Sequence, residues 1–71
     1  MPRLKASEIR KMSREEREKL LRELRIELIR LRGEVARGAP LENPSRLREV
    51  RRTIARIMTV NREEEIREKR T

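Results

Sequence analysis

Arg48, Arg51, Arg52 and Arg56 crowd into a short stretch of the chain, and Arg62 follows after a gap. Each guanidinium carries five N–H donors in a fixed fork that matches the oxygens of a phosphate. Between them run Leu47, Val50, Ile54 and Ile57, at spacings of three, four and three, which is one stripe of a helix. With Leu47 at zero and roughly 100° per residue, the stripe centres near 310° and Met58 falls at its edge. Arg48, Arg51, Arg52 and Arg62 then lie at about 40–140°, and Arg56 at about 180°. Ala55 and Thr59 occupy the middle of this basic face, where small side chains let a phosphate strand approach the backbone. A solvated helix face interleaves both signs of charge, yet no glutamate stands between Glu49 and Glu63. The pattern points to a phosphate-gripping surface.

Other chemistries are poorly supplied. The chain has no His, Cys, Asp, Tyr or Trp, so the usual general bases, thiol nucleophiles and imidazole or thiolate metal ligands are missing. Glu15, Glu16, Glu18, Glu23 and Glu27 sit among arginines at helical spacing and read as salt-bridged surface. No enzyme activity, cofactor, metal or small-molecule substrate is expected. Lys and Arg number 21 against 13 Glu, a net charge of +8, and 17 of the 21 are arginine, which favours a polyanionic partner. Without an aromatic platform for stacking, RNA would be held through its backbone and shape. No apolar run is long enough to cross a membrane and the first twelve residues hold no apolar signal core, so neither a membrane nor a secretory role is expected. The wealth of charge, with no Gln and two Asn, is the composition of a thermophile protein.

The elements that must carry the basic face can be laid out along the chain. Residues 1–4 form a loose basic arm, and residues 5–12 a short helical turn with Ile9 and Met12 on one side. Ser13 and Glu16 make a capping box. Leu21, Leu24, Leu28, Leu31 and Val35 then form a heptad seam on a helix over residues 13–37. Its eight bases and six acids are expected to pair mostly with one another, four residues apart, in solvent. Ile26 and Ile29 lie off the seam and mark a contact with another molecule. Gly33 is expected to loosen the helix, and Gly38, with Pro40 beyond it, to stop it. A loop over 38–43 leads to the Asn43 cap and Pro44, and a second helix should run over 44–62, fraying to 69. The fold expected is all-α: one domain, an antiparallel two-helix hairpin with a short N-terminal helical turn.

The run Asn43-Pro44, Leu47-Arg48 and Val50-Arg51-Arg52-Thr53-Ile54-Ala55-Arg56-Ile57 resembles the signature of the large-ribosomal-subunit protein twenty-nine family, in its archaeal branch. Lys5, Glu8-Ile9-Arg10, Ser13 and Glu15-Glu16 resemble that family's opening, so the likeness spans about residues 4–62. It implies a structural constituent of the cytoplasmic ribosome, bound as a monomer to large-subunit ribosomal RNA near the polypeptide exit tunnel, beside large-subunit protein twenty-three. Carried over, the RNA-binding residues are Lys5, Arg10, Arg48, Arg51, Arg52, Arg56 and Arg62, of which Arg62 comes from the helix face and the others match the family's basic positions. The tail after Arg62 belongs to no part of the motif. The alternative is a basic coiled-coil adaptor or DNA-binding dimer that uses the same heptads. The break at Gly38-Ala39-Pro40 argues for the hairpin, because a zipper would carry its heptads through.

Overall fold

The computed structural model describes residues 5–38 and 44–70, all in helices and their caps, with no strand among them. The order is α1 (Ala6–Lys11), α2 (Arg14–Ala36) and α3 (Pro44–Arg70). Helices α2 and α3 fold back on each other as an antiparallel hairpin, and α1 lies against α3. The body measures 50 × 20 × 16 Å. The basic arm at 1–4, Pro40 and the Asn43 cap lie outside the described residues.

The boundaries have local causes. The Lys5 carbonyl accepts the N–H groups of Glu8 and Ile9, at 3.0 and 3.2 Å, and so starts α1. Met12 is extended and ends it. Ser13, also extended, accepts the Glu16 N–H on its hydroxyl at 3.1 Å, which supplies a partner to a donor that the helix itself leaves orphaned. At the far end of α2, Gly38 takes φ 76°, a left-handed conformation that costs any residue with a Cβ about 1–2 kcal/mol. That turn lets the Gly38 N–H reach the Val35 carbonyl at 2.9 Å, while the Arg37 N–H reaches Gly33 at 3.1 Å. Gly33 does not loosen the helix, which continues unbroken to Ala36.

The core is a single file of Ile9, Leu24, Leu31, Val50, Ile57 and Val60, flanked by half-buried Leu20, Leu21, Leu28, Leu47 and Ile54. Most of the expected seam is therefore in place, but Val35 is not: its side chain is 51% exposed. Counted from either the Arg17–Asn61 or the Glu27–Arg46 contact, Val35 lies beyond the stretch of α2 that the first residue of α3, Pro44, reaches. Two additions to the seam, Ile9 and Val60, come from the docking of α1 on α3, which gives the last helix two neighbours to face. Thr53 is buried on the same side, and its hydroxyl donates to the Glu49 carbonyl at 2.8 Å.

Helix α3 runs on to Arg70, eight residues past the expected end at Arg62. Glutamates near a helix C-terminus oppose the helix dipole and need cationic partners. Those partners come from the start of the chain: Glu63 meets Arg10 at 3.3 Å, Glu65 meets Arg14 at 3.1 Å, and Glu64 meets Arg17. Of the acids on α2, Glu18 and Glu34 pair within their own helix, but Glu27 crosses to α3. Replacing Ile57 by Ala should cost about 2–4 kcal/mol in urea unfolding followed by circular dichroism, against about 0.5 kcal/mol or less for Val35→Ala. Equal costs would mean that the seam is misplaced.

Candidate nucleic-acid interface

The seam turns Val50, Ile54 and Ile57 inward, so the opposite side of α3 is left to Arg48, Arg51, Arg52 and Ala55, all exposed. These four line one open depression of about 330 Å³. A second, of about 280 Å³, is lined by Ser45, Arg48, Glu49, Arg52 and Arg56. Arg48 and Arg52 belong to both, and half-buried Arg56 stands at the rim. The Thr59 hydroxyl donates to the Ala55 carbonyl at 2.8 Å, which folds its proton against the helix and keeps the middle of the face low. Among the described residues, Arg48, Arg51 and Arg52 form no ion pair.

One acid and one further arginine explain why that charge stays uncompensated. Arg46, a turn earlier and close to the seam, grips Glu27 of α2 with both arms of its fork, Nε to Oε1 at 2.8 Å and Nη2 to Oε2 at 2.6 Å. Both side chains are less than a quarter exposed. Hydrogen bonding from Arg46 is the chief cause that holds the Glu27 carboxyl below the usual carboxylate range, against a smaller opposing effect of burial. The same bond raises Arg46 above the ordinary arginine value. Glu49 leans the same way, with its carboxylate 3.9 Å from Arg46. Among the described residues, the acid that lines the basic face, Glu49, is thus half-buried and reaches toward Arg46.

The remaining expected residues lie elsewhere. Arg62 is exposed and lines a separate depression with Met58, Thr59, Asn61, Glu65, Ile66 and Lys69. Arg10 is bonded to Glu63, which lies about 22 Å along α3 from Arg48 at 1.5 Å per residue. Lys5 is exposed at the start of α1. The structure therefore gathers Arg48, Arg51, Arg52 and Arg56 and leaves Lys5, Arg10 and Arg62 toward the other end. Among the described residues no cluster could hold a metal ion, and no helix is long and apolar enough to cross a membrane.

Sequence reasoning passed over Arg17, whose side chain is 3% exposed. Its Nε donates to Asn61 Oδ1 and its Nη1 to the Met12 carbonyl, each at 2.8 Å, and its Nη2 meets Glu64. A signal was present: Arg17 stands seven residues before Leu24 and fourteen before Leu31, both in the core.

The family model of the ribosomal L29 protein matches residues 7–63. The chain belongs to the ribosomal L29 family. It is 55% identical over 64 residues to the large ribosomal subunit protein uL29 of Pyrobaculum aerophilum, covering 90% of this chain and 84% of that one. With uL29 of Methanothrix thermoacetophila it shares 61% over 56 residues, 79% of this chain and 84% of the relative. With uL29 of Caldanaerobacter subterraneus it shares 52% over 67 residues, 94% of this chain and the whole of the relative. Archaeal and bacterial relatives are similar to a comparable degree, so the comparisons carry the family and not a branch of it.

The Arg46–Glu27 fork makes a pH prediction. A carboxyl held low in the folded state stabilises the fold above its unfolded value of about 4.3, and that contribution is lost as pH falls through the folded value. The gap in melting temperature between the parent and Glu27→Gln should be steady from about pH 7 to 5 and narrow progressively as pH falls below the unfolded value of about 4.3. A gap that does not narrow at all on acidification would show that the fork does not depend on the ionised carboxyl.

Proposed function

We propose that this chain is a structural, non-enzymatic constituent of the large subunit of the cytoplasmic ribosome, and that it grips ribosomal RNA with the outer face of α3. One observation carries the grip: Arg48, Arg51 and Arg52 stand exposed on adjoining depressions, with Arg56 at the rim and the nearest acid turned toward Arg46. The helical turn of α3 sets these like charges side by side, and the hairpin seam leaves them facing outward. A phosphate backbone relieves their repulsion and releases its own condensed counterions, so binding should weaken steeply with salt. The forked donors position the protein on the RNA, and no base-reading group accompanies them. Lys5, Arg10 and Arg62 are assigned auxiliary contacts at the other end of the helix, where Arg10 would have to share its guanidinium with Glu63.

Family resemblance supports a site near the polypeptide exit tunnel, beside large-subunit protein twenty-three. Ile26 and Ile29, 68% and 72% exposed on the outer face of α2, are the side chains we assign to a neighbour in the assembled particle. Footprinting of whole subunits with hydroxyl radicals should find both isoleucines protected, and full reactivity of both would remove that assignment. The double reversal Arg48→Glu with Arg52→Glu should lower incorporation into large subunits at least about tenfold and shrink the salt slope by about two contacts, with helicity unchanged. Glu16→Lys with Glu18→Lys, on α2, should change incorporation by no more than about twofold. Normal assembly of the double reversal through a high-salt wash would move the RNA contact to Lys5, Arg10 and their neighbours.

A further inference from the structure

The heptad repeat that joins α2 to α3 does not stop where its apolar residues do. Arg17, Leu24 and Leu31 share one heptad position of α2. On α3, Leu47, Ile54 and Asn61 share one, and Val50, Ile57 and Glu64 share another. At the end of the hairpin where α1 docks, the three positions that elsewhere carry Leu, Ile and Val therefore carry Arg, Asn and Glu. These three bond one another: Arg17 Nε to Asn61 at 2.8 Å and Arg17 Nη2 to Glu64. The third arm of the network, Arg17 Nη1 to the Met12 carbonyl at 2.8 Å, ties in the end of α1. Among the described residues no buried side-chain nitrogen or oxygen is left without a partner.

We infer that the Arg17–Asn61–Glu64 layer selects the partner of this seam, admitting the chain's own α3 in one antiparallel register and rejecting a second copy. The apolar part of the seam makes no such choice. If α3 slides by one heptad, leucines of α2 still meet valine and isoleucine, but the Arg17 guanidinium then faces Ile54 and Ile57 with no acceptor. If two copies pair in parallel through α2, two Arg17 side chains meet; if they pair through α3, two Glu64 side chains meet. Each alternative buries a charge without its counterpart, which is strongly unfavourable, while the native pairing satisfies all three residues. A polar group at a core position of a coiled coil fixes register and strand number in this way, and does so without adding stability. The same layer holds α1 across the end of the hairpin, so the register of α2 on α3 and the place of α1 are one decision.

The test extends the apolar heptads through the layer with Arg17→Leu, Asn61→Leu and Glu64→Leu together in the full chain. Because the chain contains no cysteine, register can be read by disulfide formation in two added pairs. Glu27→Cys with Arg46→Cys reports the native register, and Leu20→Cys with Arg46→Cys reports the slip of one heptad that brings Ile54 opposite Arg17. The layer-free variant should melt at the same temperature as the parent or higher. It should also sediment as dimers or larger species, or form the slipped disulfide as readily as the native one, and lose hydrogen-exchange protection at Ile9. A control that places leucines outside the layer, Glu8→Leu with Lys19→Leu and Arg67→Leu, should stay monomeric and in register. A layer-free variant that is monomeric and forms only the native disulfide would overturn the inference, whatever its melting temperature. So would a control that self-associates equally, since added apolar surface alone would then explain the change. No readout involves RNA, so the ribosomal reading stands or falls separately.

Discussion

A guanidinium taken out of water must be met by acceptors, and those of Arg17 come from two other pieces of the chain. Asn61 and Glu64 come from α3, the Met12 carbonyl from the end of α1, and Arg17 itself from the first turns of α2. None of these pieces reaches another through continuous helix. The cost of orphaning this one buried charge therefore ties all three together. Once Arg17 is placed, the antiparallel direction of α3 is settled, α1 has a fixed dock, and Glu63 and Glu65 fall within reach of Arg10 and Arg14. The long C-terminal extension of α3 gains from that arrangement, because its acids meet cationic partners on α1 and α2.

The other end of the hairpin is organised by the opposite logic. There the forked pair of Arg46 with Glu27 sits at the edge of the seam and draws Glu49 toward it. The effect on the outer surface is indirect but large in consequence. Arg46 engages Glu27 and Glu49, and although Glu49 also lines a depression with Arg48 and Arg52, those two and Arg51 form no ion pair among the described residues. Ion pairing inside the hairpin and uncompensated charge outside it are two sides of the same partition. This division belongs to a slender body of 50 × 20 × 16 Å with a thin core, which has little buried area of its own.

The apolar pattern of the two long helices was open to reading from spacing alone, because a helix buries what recurs every three and four residues whatever it packs on. Gly38 was legible as a stop for the same local reason: only a residue without a Cβ takes its left-handed turn freely. The clustering of Arg48, Arg51, Arg52 and Arg56 also followed from angles around one helix. All these inferences need only the neighbours along the chain, and so the sequence by itself determined the helices, their inward faces, the basic face and the likeness to the family.

Tertiary structure decided whatever depended on the partner across the seam. Val35 obeys the heptad perfectly and is still exposed, because it lies past the stretch of α2 that α3, which starts at Pro44, covers. Arg17 and Glu27 look like surface charges by residue type, yet one is buried and the other bridges two helices, since burial of a charge depends on whether an acceptor arrives from far away in sequence. The helix past Arg62 was expected to fray, and what spacing could not show is that its acids are held by bases some fifty residues earlier. Periodicity along one chain reports which face turns inward, while the identity of the group that meets it is a property of two segments at once.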